Sequence, residues 1–239
     1  FCRALMCLNR DKKVSGFFNM VEYSTVSNTG NREINEDCVR TAEKDGRFCF
    51  VVCDGLGGHG RGEEASQVVA DHLMECFDKF GGEPDFLERA LFSAQQTLLC
   101  EQEARRAVFE MKTTAVILTV SENSARWGYV GDSRLYMFGG GRLKTRTLDH
   151  SVPQMLALAG DIREKEIRFH ADRNKLLRVM GIKWADDQFV ISDVQPLKKK
   201  QAFLLCTDGF WELIDEKAMT RALRHSKTAD EWLNSMTEQ

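Results

Sequence analysis

Residues 48–66 read FCFVVCDGLGGHGRGEEAS and contain a strand, a turn and the start of a helix. The apolar run Phe48–Cys53 is typical of a buried strand, and Asp54-Gly55 is a turn signal that ends it. A glycine-rich loop leads into residues 63–80, whose apolar side chains recur with helical spacing. The stretch therefore places an acidic residue at the end of a buried strand, close to a helix.

The rest of the chain also divides into apolar strands and amphipathic helices. The sequence predicts helices over 63–80, 85–109, 152–159, 216–224 and 229–236, and strands over 48–53, 113–120, 125–130, 134–138, 189–194 and 202–206. Two helices follow each other directly and the strands cluster in hairpins, so the pattern favours an α+β fold with antiparallel sheets over a parallel βαβ sheet. Residues 1–19 show no clear period, and we expect a disordered or non-native leader there.

The composition excludes several classes of function. The chain has 33 Lys and Arg against 36 Asp and Glu, so its net charge of −3 gives no reason to expect nucleic acid or an anionic membrane as a partner. No stretch approaches the roughly 20 apolar residues that span a bilayer. The eight cysteines contain no C-x-x-C pair, and three lie in apolar runs. We therefore expect reduced thiols, no zinc site and a cytoplasmic protein.

Acidic residues recur where apolar strands end. Asp54 follows Val51–Cys53, Asp208 follows Leu204–Thr207, and Asp132 follows Tyr129-Val130-Gly131. A further pair, Glu36-Asp37, lies in a polar segment. Each Asp-Gly alone indicates only a turn. Their combination raises the possibility of a shared acidic site.

Acids brought together in a fold need protons or cations. Two like charges about 4 Å apart cost on the order of 4 kcal/mol at an effective dielectric near 20. Oxygen ligands without His or Cys select hard cations such as Mg²⁺ or Mn²⁺. Two such ions sharing a carboxylate ionise a water suited to attack at phosphorus. Arg32, four residues before Glu36, could bind the phosphoryl oxygens as a bidentate fork.

Four blocks of the sequence resemble the metal-dependent PPM family of protein serine/threonine phosphatases (protein phosphatase 2C), most closely its bacterial branch. They are REINED at 32–37, VCDGLGGHGRGEEAS at 52–66, VGDSR at 130–134 and LCTDG at 205–209. Weaker similarity covers 149–151 and the flap region 170–181, and the resemblance spans about 21–236. It implies a four-layer αββα sandwich of two antiparallel sheets flanked by helices.

The resemblance also implies a role for each matching residue. Asp54 would bridge two Mn²⁺ or Mg²⁺ ions, Gly55 would offer its carbonyl to one of them, and Asp208 would ligate the second. Asp132, with Asp208, would serve a third ion. Glu36 and Asp37 would bind metal-bound waters, and Arg32 would clamp the substrate phosphate.

The chain departs from the family pattern at several positions. Lys112 stands where the family has Gly before its paired Thr, and Ala171 and Leu177 replace the usual Pro and Thr of the flap. Members close with an Asp-Asn block on a final strand, which this sequence does not reach. We therefore expect residues 20–239 to form a phosphatase domain truncated at its C-terminus, with the C-terminal strand missing.

The sequence thus predicts hydrolysis of phosphoserine or phosphothreonine on proteins by a metal-bound hydroxide, in a monomer opposing a serine/threonine kinase. His59 is a candidate general acid, although a histidine in a glycine-rich loop more often orders the loop. Thr114 and Ser133 have no evident base to activate them as nucleophiles. Two alternatives stay open, namely a pseudophosphatase that binds or scaffolds phosphoproteins and, more weakly, a two-metal phosphodiesterase.

Overall fold

The structure, a computed structural model, describes residues 3–10, 20–29, 33–56, 60–186 and 189–237, and only the backbone of 3–10 and 20. Within these ranges, two antiparallel sheets lie face to face between two layers of helices. This arrangement confirms the α+β sandwich expected from the sequence.

Each sheet is assembled from hairpins and long-range pairings among the described strands. The first sheet has the order β2 (Met20–Ser27), β1 (Arg3–Arg10), β11 (Gln201–Cys206), β7 (Arg134–Gly139) and β8 (Arg142–Arg146). The second has the order β10 (Gln195–Pro196), β6 (Ser124–Val130), β5 (Ala115–Val120), β4 (Arg47–Asp54) and β3 (Asp37–Lys44), and β9 (Val190–Ile191) also pairs with β6.

The helices cover the outer faces of the two sheets. α1 (Gly62–Phe80) and α2 (Phe86–Ala104) pack on the second sheet. The first sheet is covered by α3 (Val152–Ala159), a 3₁₀ helix (Glu164–Phe169), α4 (Asp208–Trp211), α5 (Glu216–His225) and α6 (Ala229–Thr237). No helix in the described part of the chain is long and apolar enough to cross a membrane.

Strand β4 shows why residues 48–53 are apolar without alternation. Phe50 and Val52 point between the sheets, where they pack with Phe203 of β11. Val51 and Cys53 point the other way, into the core shared with α1 and α2. Since successive side chains of a strand face opposite sides, a strand buried on both faces is apolar throughout.

Two predicted elements are shorter in the structure. α2 ends at Ala104 rather than at residue 109, because Arg106 adopts a left-handed φ of 55° and the chain turns towards β5. The strand predicted over 189–194 is reduced to β9, since only Val190 and Ile191 pair with β6 in a ladder.

Strand β1 lies within residues 1–19, where the sequence predicted a disordered or non-native leader. Arg3–Arg10 instead pairs with β2 on one side and β11 on the other. These pairings supply the backbone hydrogen bonds of the strand, and the partner β11 lies about 200 residues away in sequence. The local pattern of residues 3–10 therefore could not reveal it. The rest of the predicted leader, residues 1–2 and 11–19, lies outside the described residues.

Candidate active site

Strand ends from both sheets deliver the predicted acidic residues to one end of the sandwich. Asp37 is the first residue of β3 and lies directly opposite Asp54, the last residue of β4. Asp208 follows β11 of the other sheet, and Asp132 follows β6. Residues far apart in the sequence therefore meet because their strands terminate at the same edge.

Asp54, Asp132 and Asp208 share one open cavity of about 710 Å³. Its lining combines acidic side chains with polar and apolar neighbours. It consists of Glu36, Asp54, Gly55, Leu56, Phe109, Lys112, Asp132, Asn174, Leu176 and Asp208. Asp54 and Asp132 are 8% and 5% exposed, so both carboxyls reach solvent mainly through this cavity.

Three of the carboxyl groups are joined by hydrogen bonds. Asp54 is hydrogen-bonded to Asp208 on one side and to Asp37 on the other. The Thr207 hydroxyl donates a further hydrogen bond to Asp37 at 3.1 Å. Carboxyl groups this close cannot all be ionised without a proton or a cation between them.

The electrostatics of the site follow from this crowding. Burial raises the pKa of Asp54 well above its usual range, and the charges of Asp208, Asp37 and Asp132 raise it further. Burial likewise raises the pKa of Asp132, with Asp208 as the next cause. The pKa of Asp37 is raised by burial and held back by the hydrogen bond from Thr207. In the folded chain, binding of a proton or a cation by these carboxyl groups is therefore favoured.

Gly55 lets three segments approach behind Asp54. Its N–H donates to the Glu36 carbonyl at 3.0 Å, and a Cβ at this position would lie 2.7 Å from that oxygen and closer still to the carbonyl of Gly62. No side chain fits there without moving backbone. The glycine thus fixes the Glu36 segment and the start of α1 against the end of β4.

The two threonines before β5 hold the backbone of Asp54. The N–H of Thr114 and the hydroxyl of Thr113 both donate to the Asp54 carbonyl, at 2.8 and 2.9 Å. The N–H of Asp54 donates to the Thr114 hydroxyl at 3.0 Å. That hydroxyl also bonds to the Ser133 hydroxyl at 2.6 Å, and both side chains are buried. Thr114 and Ser133 are therefore structural, in agreement with the sequence analysis.

A buried ion pair supports the Asp132 side of the site. Arg134 donates two hydrogen bonds to Asp149, at 2.7 and 2.6 Å, and its guanidinium lies 3.5 Å from the centroid of the Trp211 ring. The indole N–H of Trp211 donates to the Asp132 carbonyl at 3.0 Å. The VGDSR block thus ties the strand end to the helical layer.

The structure brings together Asp54, Gly55, Asp132, Asp208, Glu36 and Asp37 of the predicted site. Arg32, the predicted phosphate clamp, and His59, the candidate general acid, lie outside the described residues. His150 accepts a hydrogen bond from the Gly131 N–H at 3.1 Å, and His170 accepts one from Asp172 at 3.1 Å. These two histidines therefore have structural contacts.

Sequence reasoning missed five residues of the cavity. Leu56 lies within the 52–66 block but was not singled out. Phe109 gave no signal, and Lys112 was noted only as a departure from the family pattern. Asn174 and Leu176 lie in the flap region that the weak similarity covered, but nothing singled them out. The one available signal was the position of Lys112 immediately before Thr113 and Thr114. Both threonines are buried, so the charged side chain of Lys112 must point away from the core.

The donor set suits hard divalent cations. Within the described ranges, no three His, Cys, Asp or Glu side chains are already arranged to hold a metal ion. However, Asp54, Asp132 and Asp208 line one cavity, and no described Lys or Arg side chain forms an ion pair with them. Mg²⁺ and Mn²⁺ prefer carboxylate and carbonyl oxygens of this kind. The chemistry of the residues present therefore fits such ions.

Comparison with known proteins gives consistent results. A family model described as protein phosphatase 2C matches residues 26–239. The serine/threonine phosphatase stp of Listeria monocytogenes serotype 4b (strain F2365) is 28% identical over 209 residues, which cover 84% of this chain and 81% of the relative.

Solved structures agree with the fold. Serine/threonine phosphatase Stp1 from Staphylococcus aureus superposes with a TM-score of 0.80 at 26% identity, covering 95% of this chain and 92% of that one. The catalytic domain of the phosphatase PstP, solved in complex with two manganese ions, superposes with a TM-score of 0.73 at 22% identity, covering 98% and 91%. The resemblance identified from the four sequence blocks is thereby confirmed.

Proposed function

Because the chain belongs to the protein phosphatase 2C family, we propose that it hydrolyses phosphoserine and phosphothreonine on proteins with the help of Mn²⁺ or Mg²⁺. The observation that carries the proposal is the group Asp54, Asp132 and Asp208, which lines one open cavity. Asp54 is hydrogen-bonded to Asp208 and to the neighbouring Asp37. The Listeria and Staphylococcus relatives are named serine/threonine phosphatases, which supports the substrate class.

In this proposal, residues at the ends of strands from both sheets bind the cations. Asp54, the Gly55 carbonyl and Asp208 hold two ions, and Asp132 with Asp208 serves a third. The two manganese ions of the PstP structure support such ions generally. Bound ions of this kind lower the pKa of a water to near neutrality and offset the negative charge of a phosphoryl group.

The remaining residues position water and substrate. Glu36 and Asp37 accept hydrogen bonds from waters at the border of the acidic group. Arg32 binds the phosphoryl oxygens, and His59 stays the candidate donor of a proton to the leaving alkoxide. Thr113 and Thr114 keep the Asp54 backbone in place through three hydrogen bonds. We place the enzyme in the cytoplasm as a monomer that acts on phosphoproteins opposite a serine/threonine kinase.

The proposal is tested with Asp54→Asn, which keeps the shape of the side chain and removes its charge. Loss of a residue that only hydrogen-bonds to a metal ligand typically lowers activity by roughly 10- to 100-fold. We expect Mn²⁺-dependent turnover of a phosphothreonine peptide to fall by more than this in Asp54→Asn. Asp71→Asn is the matched control, since Asp71 forms an exposed ion pair with Arg40 on the surface. Undiminished turnover in Asp54→Asn would refute the mechanism.

Calorimetry with Mn²⁺ separates the enzyme from the scaffolding alternative. A phosphatase binds Mn²⁺ and loses this binding in Asp54→Asn. A pseudophosphatase gives no Mn²⁺ binding and no turnover while it still binds phosphoprotein. A panel of phosphodiesters tests the third interpretation, and we expect the wild-type chain to leave them intact.

A further inference from the structure

The segment 107–112, between α2 and β5, forms one wall of the acidic cavity and has no assigned role. We refer to it as the 107–112 loop. Its ends are fixed, because Ala107 and Met111 are buried and both the Glu110 and Met111 N–H groups donate to the Ala107 carbonyl. Phe109 and Lys112 line the cavity, and Phe109 is 85% exposed. The loop thus presents one cation and one aromatic ring from a rigid base.

The backbone of Lys112 is held by a hydrogen bond and by its two neighbours. Its carbonyl accepts the Leu56 N–H at 2.8 Å, and its neighbours Met111 and Thr113 are fully buried. Thr113 in turn donates to the Asp54 carbonyl at 2.9 Å. Lys112 therefore lines the cavity from a fixed point next to the segment that carries Asp54.

The charge of Lys112 has no partner in the described part of the chain. No hydrogen bond or ion pair joins its ammonium to another described side chain. The nearby cations differ, since Arg61 and Arg105 are both paired with Glu64. Among the described residues that line the cavity, Lys112 is the only cation. An unpaired ammonium beside a cavity of this kind is available for an anionic ligand.

We propose that Lys112 binds the phosphoryl group of the substrate and that Phe109 packs against an apolar side chain next to the phosphorylated residue. The inference rests on the proposed phosphatase function. The phosphoryl group is the favoured anion because Lys112 shares its cavity with Asp54, Asp132 and Asp208, around which the phosphorus must sit. Phe109 lines the same cavity and is largely exposed, so its ring is available to the residue that flanks the phosphorylated one.

The exposure of the Phe109 ring supports its role in peptide binding. Phe109 is the most exposed of the large apolar side chains in the described residues. Exposed aromatic residues beside a binding cavity commonly act as anchors for a partner, because they bury much apolar area at little cost in side-chain entropy. The 107–112 loop therefore favours phosphopeptides with an apolar flanking residue over those with small polar flanks.

The test of Lys112 compares Lys112→Gln and Lys112→Arg with the wild type, using p-nitrophenyl phosphate and phosphothreonine peptides with acidic or neutral flanks. Loss of a charge-assisted hydrogen bond predicts a rise in KM of about 10-fold or more for every substrate in Lys112→Gln, with a smaller change in kcat. In Lys112→Arg we expect a KM close to that of the wild type. Lys144→Gln, an exposed lysine on β8, is the matched control and keeps the wild-type KM.

Three results would overturn the role of Lys112. They are an unchanged KM in Lys112→Gln, a rise confined to peptides with acidic flanks, and an effect confined to the Mn²⁺ concentration needed for half activation. Calorimetric binding of inorganic phosphate to the Mn²⁺-loaded protein is a second measurement, and we expect it to weaken about 10-fold or more in Lys112→Gln. If the wild type gave no turnover, the proposed function would fail, while the phosphate titration would still decide the role of Lys112.

The test of Phe109 uses Phe109→Ala with two peptides that differ only in the residue beside phosphothreonine, Leu or Ser. We expect KM to rise several-fold for the Leu peptide and to stay within about 2-fold for the Ser peptide, because only the first loses buried apolar area. Phe92→Ala on α2, where the ring is half-exposed away from the acidic cavity, is the control. Equal effects on both peptides would contradict the anchoring role.

Discussion

At the scale of single residues, the pair Arg134–Asp149 shows how the chain places charge beside an acidic site. The two side chains are 3% and 1% exposed, and they form two parallel hydrogen bonds. The Arg134 guanidinium also donates to the Tyr136 hydroxyl at 2.9 Å and packs on Trp211. Since the Trp211 indole donates to the Asp132 carbonyl, this pair supports the backbone that carries one carboxylate of the site.

Asp149→Ala should therefore destabilise the fold strongly. The change removes the two short hydrogen bonds of the buried Arg134 guanidinium to Asp149 and leaves it, of the ion pairs that the structure describes, only the longer one with Glu216, at 3.8 Å. Breaking one partner of a buried pair typically costs about 3–5 kcal/mol. We expect a loss of this size in the free energy of unfolding, measured by urea denaturation. Asp71→Ala breaks the exposed pair with Arg40 and should cost no more than about 1 kcal/mol. Similar losses in the two variants would contradict the prediction.

At the scale of elements, the junction between β4 and α1 depends on Gly55. The glycine lies where the Glu36 segment, the end of β4 and the first residue of α1 converge. The Ser66 hydroxyl of α1 donates to the same Glu36 carbonyl at 2.6 Å. The three segments therefore act as one unit, and their spacing sets where Asp54 and Glu36 stand relative to each other.

Gly55→Ala should push the Glu36 segment and the start of α1 away from the end of β4. The added Cβ collides with backbone carbonyls of Gly62 and Glu36, which cannot move aside as a flexible side chain would. We expect a loss of about 1–3 kcal/mol in unfolding free energy, as for other overpacked sites, together with loss of phosphatase activity. Gly139→Ala on β7 is the control, because its Cβ would meet only the flexible Lys144 side chain at 3.2 Å. Wild-type stability in Gly55→Ala would refute the argument.

Elements with strong local patterns were predictable from the sequence. β4, α1 and β11 carry apolar runs or helical spacing that burial requires, and their ends lie within about two residues of the predicted ones. The acidic residues were predictable for the same reason, because Asp54 and Asp208 each end an apolar run. Their common place at strand ends suggested a shared site, and the cost of crowding charges indicated that such a site needs cations. The hydrogen bond between Asp54 and Asp208 agrees with a shared site.

Elements that depend on distant partners were not predictable. β1 exists through its pairing with β11 and β2, and β8 has the polar sequence RLKTR because it pairs only with β7. The 107–112 loop was assigned partly to α2, since the residues that end this helix, Arg105 and Arg106, are common in helices. The left-handed φ of Arg106 and the buried contacts of Ala107 and Met111 turn the chain towards the cavity, and the local sequence shows neither. Phe109 and Lys112 were missed as cavity residues for this reason.

At the scale of the whole molecule, His150 connects the sandwich to the flap region, which supplies Asn174 and Leu176 to the cavity wall. Its ring stacks on Tyr129 of β6 at 5.2 Å, and its Nδ1 accepts the Gly131 N–H beside Asp132. Its carbonyl accepts the Leu177 N–H at 2.7 Å, which holds the flap region. Burial lowers the pKa of His150 from the ordinary 6.5 to about 4, the positive charge of Arg178 lowers it further, and Asp149 opposes the shift.

The stability of the molecule should depend on this histidine in mildly acidic solution. Between pH 6.5 and about 4 the unfolded chain binds a proton at His150 and the folded chain does not, so the free energy of unfolding falls as the pH falls through this window. The slope from one such group is at most about 1.4 kcal/mol per pH unit. His150→Asn keeps an acceptor for the Gly131 N–H and cannot titrate. Urea denaturation at several pH values should therefore give a shallower decline for His150→Asn than for the wild type.

The control is His225→Asn, at the exposed end of α5, which should retain the wild-type slope. Equal slopes in all three proteins would show that proton uptake at His150 does not limit acid stability.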